Sequence, residues 1–380
     1  MFRRGIRIGQ ISGINISIDY SWLFIFALFI FLLGGSYFPV AAPGIAIGWY
    51  WLAGVLTSLL FFASVVAHEL AHSIVARRSG LPIHNITLFF FGGVSELEDE
   101  PHTPWEEFKM AVAGPLMSVL VAIIFFIITL LLRPLSARLL MAATTYLWFI
   151  NAALAVFNLL PGFPLDGGRV FRSIVWRVTG NLTRATYIAS TVGQAFGWIM
   201  IVGGVLSAFL IRGFLVNGLW FALIGWFLVS AARTSYRQVV LRDALNRVPL
   251  QDILNPNVEA LSPEMSVEQV VREYFLRESA SALPVEEEGR LIGIVSIEDV
   301  RNVPRELWAS TPIRQILHPV TDEQVLHPDD DAWDAINRMT RTARDQVLVV
   351  EPDGRVDGIV TRGAIFRWLQ THTRLMPGEA

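Results

Sequence analysis

The residues from Ile47 to Arg78 read IGWYWLAGVLTSLLFFASVVAHELAHSIVARR, a long apolar run with two histidines and a glutamate in its second half. At about 1.5 Å of rise per residue, a helix of this length exceeds the roughly 30 Å of hydrocarbon in a bilayer. The run therefore predicts a membrane-spanning helix that tilts or extends beyond the lipid. Within it, His68, Glu69 and His72 are energetically unfavourable unless they pair or bind an ion, so they are candidates for function.

Apolar runs dominate the chain up to about residue 232. Of its 380 residues, 53 % are hydrophobic, and the mean hydropathy of +0.50 is above what a soluble protein of this size needs. Runs long enough to cross a bilayer lie at 20–38, 47–78, 106–132, 139–160, 186–211 and 214–232. We predict a polytopic α-helical membrane protein with six transmembrane helices over residues 1–235. Alternating isoleucines over 6–18, around Ser12 and Gly13, add a predicted β-hairpin before the first span.

Basic residues in short loops indicate the orientation of the spans, because cytoplasmic loops are enriched in positive charge. Arginines occur before the first span, at the end of the 47–78 run, in the segment 169–184 and in the segment 233–242. The segment 169–184 is interpreted here as a loop. The pattern predicts a multi-pass protein of the cytoplasmic membrane, with both termini in the cytoplasm.

From Leu241 onward the composition becomes that of a soluble protein. Residues 246–380 contain 14 Arg and 23 Asp or Glu, whereas the first 245 contain 16 Lys or Arg and 10 acidic residues. PLQDIL at 249–254 resembles PIRQIL at 312–317, and GIVS at 293–296 resembles GIVT at 358–361. The repeat predicts two cytosolic α+β units, at 246–305 and 306–371, that bury their apolar faces against each other.

Composition excludes several kinds of site and partner. The chain contains no cysteine, which excludes disulfides, thiolate catalysis and cysteine-ligated zinc. No block of basic residues that could neutralise phosphates is present, so nucleic acid is not an expected partner. Any metal ion in this protein must be held by histidine and carboxylate side chains.

His68, Glu69 and His72 match the pattern H-E-x-x-H. Histidines four residues apart lie one turn apart on the same face of a helix, so both imidazoles can reach one ion. A zinc site that keeps one position open for water needs a third protein ligand. Between residues 110 and 232 the sequence contains no histidine, and its only acidic residue is Asp166.

Asp166 lies in the sequence NLLPGFPLDGG at 158–168. Two prolines interrupt the helix there, and two glycines free the backbone from ordinary φ limits. Irregular backbone at membrane depth is tolerated where protein buries it or where it lines a watery cavity. Such a break would let Asp166 reach the two histidines. Two other interpretations remain open: a polar helix contact or proton path formed by the histidines, and a solvated turn containing Asp166.

The H-E-x-x-H span followed by N-x-x-P-x-x-P-L-D-G-G in a later span resembles the site-2 protease family of intramembrane zinc metalloproteases. The resemblance covers about residues 1–235. It implies that His68, His72 and Asp166 bind one Zn²⁺ per chain and that Glu69 activates water. It also implies that Asn158 holds the substrate backbone or the developing oxyanion. The expected activity is hydrolysis of peptide bonds within transmembrane segments, as in regulated intramembrane proteolysis.

The segment ITLFFFGGVS at 86–95 also resembles the glycine-containing strand of that family. A transmembrane helix hides its peptide carbonyls, so a substrate must first unwind into an extended strand. We predict that this segment, with Gly92 and Gly93, pairs with the substrate as a neighbouring strand. A re-entrant packing segment without substrate contact is the alternative. The resemblance implies a prokaryotic source and a transmembrane protein substrate, such as an anti-sigma factor or a membrane-tethered regulator.

The repeated units resemble a tandem pair of cystathionine-β-synthase (CBS) domains. In many such pairs an element G-h-h-[ST]-x-x-D contacts the phosphate and ribose of an adenine nucleotide. Residues 293–299 match this element, which implies that Ser296 and Asp299 bind ATP, AMP or a related nucleotide. The second copy has Ala364 where the aspartate is expected, so one site is predicted. A homodimerisation module is the alternative role.

Two further functions remain open for the whole chain: a CBS-regulated membrane transporter or channel, and a catalytically inactive membrane scaffold. A transporter needs neither an open zinc position nor a general base. An inactive relative would be expected to have lost one of the four motif residues, and all four are present.

Overall fold

The computed structural model describes residues 5–81, 83–90, 92–97, 100–246, 248–256, 260–276, 282–321, 325–342, 344–351 and 355–375. The chain divides into two compact units, Met1–Arg237 and Gln238–Ala380.

The first unit is built mainly from long apolar helices. In chain order they are α1 (Tyr20–Leu32), α2 (Phe38–Ala41), α3 (Ile47–Arg78), α4 (Pro104–Leu132), α5 (Arg138–Asn158), α6 (Asp166–Thr179), α7 (Leu182–Leu210) and α8 (Leu215–Leu245), the last of which runs into the second unit. A π-helical turn, Leu33–Tyr37, joins α1 to α2 without a break. Six of these stretches are long and apolar enough to cross a membrane: Tyr20–Ala41, Ile47–Arg78, Pro104–Leu135, Arg138–Asn158, Leu182–Leu210 and Leu215–Leu245. The prediction of six membrane-spanning helices is confirmed.

The segment 169–184 is not a loop, and its interpretation as one was wrong. Most of it belongs to α6, which begins at Asp166 and ends at Thr179, and the next residue, Gly180, caps the helix with a φ of +67° that suits glycine. Asn181 then caps α7 through the Arg184 amide. The glycines at 167 and 168 are helical, so they do not serve to free the backbone. A Cβ on Gly168 would collide with the backbone of Gly162, so these glycines allow α6 to pack closely on the preceding connection.

A four-stranded sheet lies beside the helices, in the order β1 (Ile6–Ile11), β2 (Ile14–Ile18), β3 (Ile83–Phe89) and β4 (Gly92–Leu97). The predicted N-terminal hairpin is present as β1 and β2, with Ser12 and Gly13 at positive φ in its turn. Strand β2 pairs in parallel with β3, and β3 pairs antiparallel with β4. The glycine-containing segment is thus a hairpin in which Gly92 has a φ of +133°.

The second unit contains two copies of a small α+β motif. The first has α9 (Val267–Val270), β5 (Ala282–Glu287), β6 (Arg290–Ser296) and α10 (Ile297–Arg301); the second has β7 (Val325–Leu326), α11 (Ala332–Thr342), β8 (Gln346–Val350), β9 (Val356–Thr361) and α12 (Arg362–Leu375). Each copy has an apolar core to which the other copy contributes: the core around Leu261 and Val295 includes Ile313, and the core around Met339 and Val360 includes Leu250 and Ile253. A third cluster mixes residues of both copies, including Ile294 and Leu348. The predicted pairing of two α+β halves is confirmed.

Candidate metal centre

Helix α3 presents two histidines to the interior of the first unit. His68 and His72 are one turn apart and buried, with exposed fractions of 3 % and 9 %. Their Nε2 atoms are 3.2 Å apart. This spacing follows from the helical repeat, because residues four apart lie one above the other on one face.

Asp166 reaches the two histidines from the first residue of α6. Its Oδ2 atom lies 3.1 Å from His68 Nε2 and 3.2 Å from His72 Nε2. The chain leaves α5 at Asn158 and re-enters a helix at Asp166, so the break between the helices delivers the carboxylate sideways. The predicted approach of Asp166 to the histidines is therefore present in the fold.

The second nitrogen of each imidazole is held by α4. His72 Nδ1 lies 2.7 Å from the Met110 carbonyl oxygen, and His68 Nδ1 lies 2.8 Å from Ser118 Oγ. A carbonyl oxygen only accepts, so His72 Nδ1 donates its proton and Nε2 of the neutral ring keeps a free lone pair. If the Ser118 hydroxyl likewise accepts from His68, both Nε2 lone pairs point at Asp166 Oδ2.

The donor atoms fit a zinc ion. Tetrahedral zinc with bonds of about 2.0–2.1 Å separates its ligand atoms by about 3.3–3.4 Å, close to the three spacings seen here. When both rings are neutral with the proton on Nδ1, three lone pairs face each other and repel until a proton or a metal ion lies between them. Among the described residues, His68, His72 and Asp166 form the only group of three metal-ligating side chains close enough to share one ion. Polar partners on their second nitrogens are typical of histidines that bind metal.

Glu69 and Asn158 lie beside this three-donor cluster. Glu69 follows His68 on α3, and its side chain lines the same cavity as the cluster. Asn158 ends α5, and its Nδ2 is 3.5 Å from His68 Nε2. Both predicted residues are therefore next to the candidate metal ligands.

Two residues of the centre were missed in the sequence analysis. A Cβ on Gly114 would collide with His72 Nε2 and would come within 2.7 Å of His68 Nε2, so only glycine lets α4 approach the imidazoles. Ser118, one turn later, orients His68. The available signal was a glycine followed four residues later by a serine within an otherwise bulky apolar span.

A cavity of about 490 Å³ adjoins the cluster. Its walls are mainly aromatic and aliphatic side chains from α1, α3, α5 and α8, and they include Phe29, Phe61, Phe157, Trp220 and Phe227. Gly92 and Gly93, at the start of β4, also line it. The cavity can thus hold an apolar chain segment against the polar cluster.

Gly93 is tightly packed against the candidate base. A Cβ at position 93 would lie 2.5 Å from Glu69 Cγ. Any larger residue there would displace Glu69. A substitution of Gly93 therefore does not separate strand pairing from the position of the base.

Ser296 and Asp299 belong to the second unit and form a capping box at α10. Asp299 Oδ2 accepts from the Ser296 amide at 2.8 Å and from Ser296 Oγ at 2.6 Å, while Oδ1 lies 2.8 Å from His318 Nε2. Burial acts to raise the pKa of Asp299, but the hydrogen bonds from Ser296 and His318 outweigh it and hold the pKa below its usual range. In the second copy, Thr361 caps α12 through the Ala364 amide at 3.1 Å, without a carboxylate.

Comparisons with known proteins agree with this architecture. Residues 56–137 and 133–200 match the model of Peptidase family M50, and residues 250–306 and 313–371 match that of the CBS domain. A putative zinc metalloprotease of Synechocystis sp. is 34 % identical over 369 residues, covering 96 % of each chain. A putative zinc metalloprotease of Mycobacterium tuberculosis is 32 % identical over 378 residues, covering 99 % of this chain and 95 % of the relative.

Among solved structures, the site-2 protease from Methanocaldococcus jannaschii is similar, with 29 % identity and a TM-score of 0.43. The match covers 61 % of this chain and 95 % of that one. The family matches and the nearly full-length relatives settle the classification. The chain belongs to peptidase family M50, the site-2 protease family of zinc metalloproteases, and it is a multi-pass membrane protein that carries a tandem pair of CBS domains.

Proposed function

We propose that this metalloprotease cleaves peptide bonds within the transmembrane segments of protein substrates. One observation carries the proposal: the cluster of His68, His72 and Asp166 adjoins a largely apolar cavity among helices long enough to cross a membrane. A polar substrate segment would lose its hydration on entering aromatic and aliphatic walls, whereas an apolar segment has no such hydration to lose.

The three cluster residues are proposed to hold one zinc ion. When bound, zinc supplies a Lewis acid that makes water more acidic and polarises a carbonyl group. Glu69 takes the proton from water and later gives it to the leaving amine, as a general acid and base does. Asn158 donates its amide to the substrate carbonyl oxygen, on which negative charge develops. The Nδ1 contacts of the histidines keep both imidazoles oriented toward the ion.

The substrate is proposed to enter as an extended strand beside β4. A peptide in a helix has its carbonyls engaged, so it must unwind before Glu69 and the zinc site can act on it. The location of Gly92 and Gly93 on the cavity wall supports strand pairing there. An anti-sigma factor or a membrane-tethered regulator is the expected substrate class.

We further propose that both termini and the CBS pair are cytoplasmic. The arginines at the end of α3 and in the second half of α8 support this orientation. An adenine nucleotide at Ser296 and Asp299 is proposed to regulate cleavage, and pairing of two chains through the CBS units is a further expectation.

The test of the catalytic proposal compares the parent protein with Glu69→Gln. Both are purified in detergent, assayed for bound zinc, and incubated with a peptide that contains a transmembrane segment. We expect one zinc per chain in both proteins and a loss of cleavage of at least about 10²-fold in the variant. Glu106→Gln, which changes a glutamate in the first turn of α4 that does not line the cavity, is the control and should cleave like the parent.

The outcomes separate the alternatives. A parent that binds zinc but cuts no peptide would indicate an inactive scaffold. A parent that binds no zinc would contradict the metal site itself and would favour a transporter or channel.

A further inference from the structure

We infer that Arg172 and Glu107 form a positioning pair that sets the zinc affinity of the site by holding Asp166 against α4. The inference rests on the proposed zinc site. It concerns two residues that lie outside the H-E-x-x-H and L-D-G-G motifs and that do not line the cavity. Neither one touches the three-donor cluster in the structure, so they are positioning residues.

The pair joins α6 to α4 in the interior of the first unit. Arg172 Nε donates to Glu107 Oε1 at 2.6 Å, and Nη2 forms an ion pair with the same oxygen. Arg172 is 4 % exposed and Glu107 is fully buried. Two charged side chains at such a site must pair, because either one alone would be strongly destabilising.

Arg172 also contacts three other parts of the fold. Its Nη1 donates to Thr186 Oγ1 of α7 at 3.4 Å and lies 3.7 Å from Glu100 Oε2. Its guanidinium lies over the ring of Phe163, 5.1 Å from the centroid, in the connection that leads to Asp166. The planar guanidinium fixes all these elements at once, which a lysine ammonium cannot do.

The two partners stand on the elements that form the zinc site. Glu107 lies on α4 in series with Met110, Gly114 and Ser118, the residues that contact or closely approach the two imidazoles. Arg172 lies on α6, six residues after Asp166. Contact between Arg172 and Glu107 therefore fixes the helix that carries the carboxylate ligand against the helix that orients the histidines. A shift of α6 along α4 would separate Asp166 Oδ2 from the Nε2 atoms.

Stability alone does not account for the pair. Replacing a buried ion pair by apolar side chains of similar size is often neutral or stabilising. An apolar pair would be compatible with the folding of a largely apolar bundle, but it has no directional contact that fixes the register of two helices. An apolar replacement should therefore keep the protein folded while it weakens zinc binding.

The experiment measures zinc affinity by competition with a chelator and folding by thermal unfolding of the metal-free protein, both on the full chain in detergent. The variants are Arg172→Lys, Glu107→Gln and the double variant Arg172→Met with Glu107→Leu. We expect the double variant to stay folded but to bind zinc about 10- to 100-fold more weakly, and Arg172→Lys to weaken zinc binding similarly. Arg233→Met, which removes a hydrogen bond between α8 and α7 at Gln194, is the control and should keep the parental affinity.

Two results would overturn the inference. One is a folded Arg172→Lys protein with parental zinc affinity. The other is a double variant with parental zinc affinity, because the native pair would then serve only to balance charge. If the parent binds no zinc, the proposed function fails. If the parent binds zinc and the variants bind it equally well, only the inference about Arg172 and Glu107 fails.

Discussion

Gly114 illustrates how a single residue sets the approach of two helices at the candidate site. Its missing side chain allows the α4 backbone to lie against both imidazoles, and Met110 and Ser118 on the same helix then reach their Nδ1 atoms. A methyl group at this position would occupy the space next to the Nε2 atoms, where the ion is expected. The site is therefore sensitive to one added carbon atom.

We predict that Gly114→Ala lowers zinc affinity at least about 10-fold, because the added Cβ must push the histidines or α4 away. Chelator competition on the purified protein measures the change. Gly203→Ala is the matched control, since a Cβ at this helical position meets nothing within 4 Å and should leave zinc binding unchanged. Parental zinc affinity in Gly114→Ala would contradict the described packing of α4 against the histidines.

At the residue scale, the sequence predicted the three candidate ligands that share a recognisable pattern. His68 and His72 follow from helical spacing, and Asp166 follows from being the sole acidic residue in the later spans. Gly114, Ser118 and Arg172 could not be found in this way, because their importance depends on which helices are neighbours. The roles of Glu69, Asn158 and the zinc ligands stay predictions until tested.

At the element scale, α6 shows why the segment 169–184 was misinterpreted. Its glycines and arginines are typical of a loop in a membrane protein. The arginines were interpreted only as indicators of which side of the membrane the segment faces. In the structure Arg172 and Ser173 of α6 are buried, while Ile174 and Val178 are exposed, with Arg177 beside them in the last turn. This distribution is the reverse of that expected for a helix on the surface of a soluble protein. It suits a helix whose outer face contacts lipid.

We predict that Ile174 and Val178 contact the bilayer. The chain contains no cysteine, so single-cysteine variants at these positions can carry one fluorescent label each without further changes. In lipid nanodiscs, a lipid-phase quencher should quench both labels strongly and an aqueous quencher weakly. Labels at Ile124, exposed in the middle of α4, and at Ser310, exposed in the second unit, provide the lipid and water references. Labels on α6 that behave like the one at Ser310 would place this helix in water.

At the scale of the whole molecule, the six spans were predictable because a helix that crosses hydrocarbon must be long, apolar and continuous. The soluble half was predictable for a different reason: its internal repeat indicated two equivalent α+β units before any contact was known. The α8 helix extends to Leu245, beyond the span expected to end at 232. The expected span was too short because the last turns of α8 are polar, and hydropathy detects only the apolar part of a helix. Propensity and packing, not hydropathy, determine where such a helix ends.

The CBS pair offers a test of regulation in the full protein. Both Asp299 oxygens have partners in the structure, Oδ2 from Ser296 and Oδ1 from His318, so a nucleotide that binds through Oδ1 has to share that oxygen with the His318 imidazole or displace it. We predict that adenine nucleotide changes the cleavage rate of the parent about 5-fold or more, in either direction, and that Asp299→Asn removes the change. Ser296 still caps α10 in this variant, and an asparagine oxygen at position 299 can still accept from the Ser296 amide, so loss of the response would not reflect loss of the helix end.

Two further variants make this prediction specific to the first copy. His318→Ala frees one Asp299 oxygen without altering the cap, so nucleotide should bind at least as tightly as in the parent, as measured by isothermal titration. Thr361→Ala changes the corresponding hydroxyl of the second copy, where Ala364 replaces the carboxylate, and should leave the response intact. A parent that binds no nucleotide while chains still associate would instead assign the CBS pair to dimerisation, with Ser296 and Asp299 serving only to cap α10.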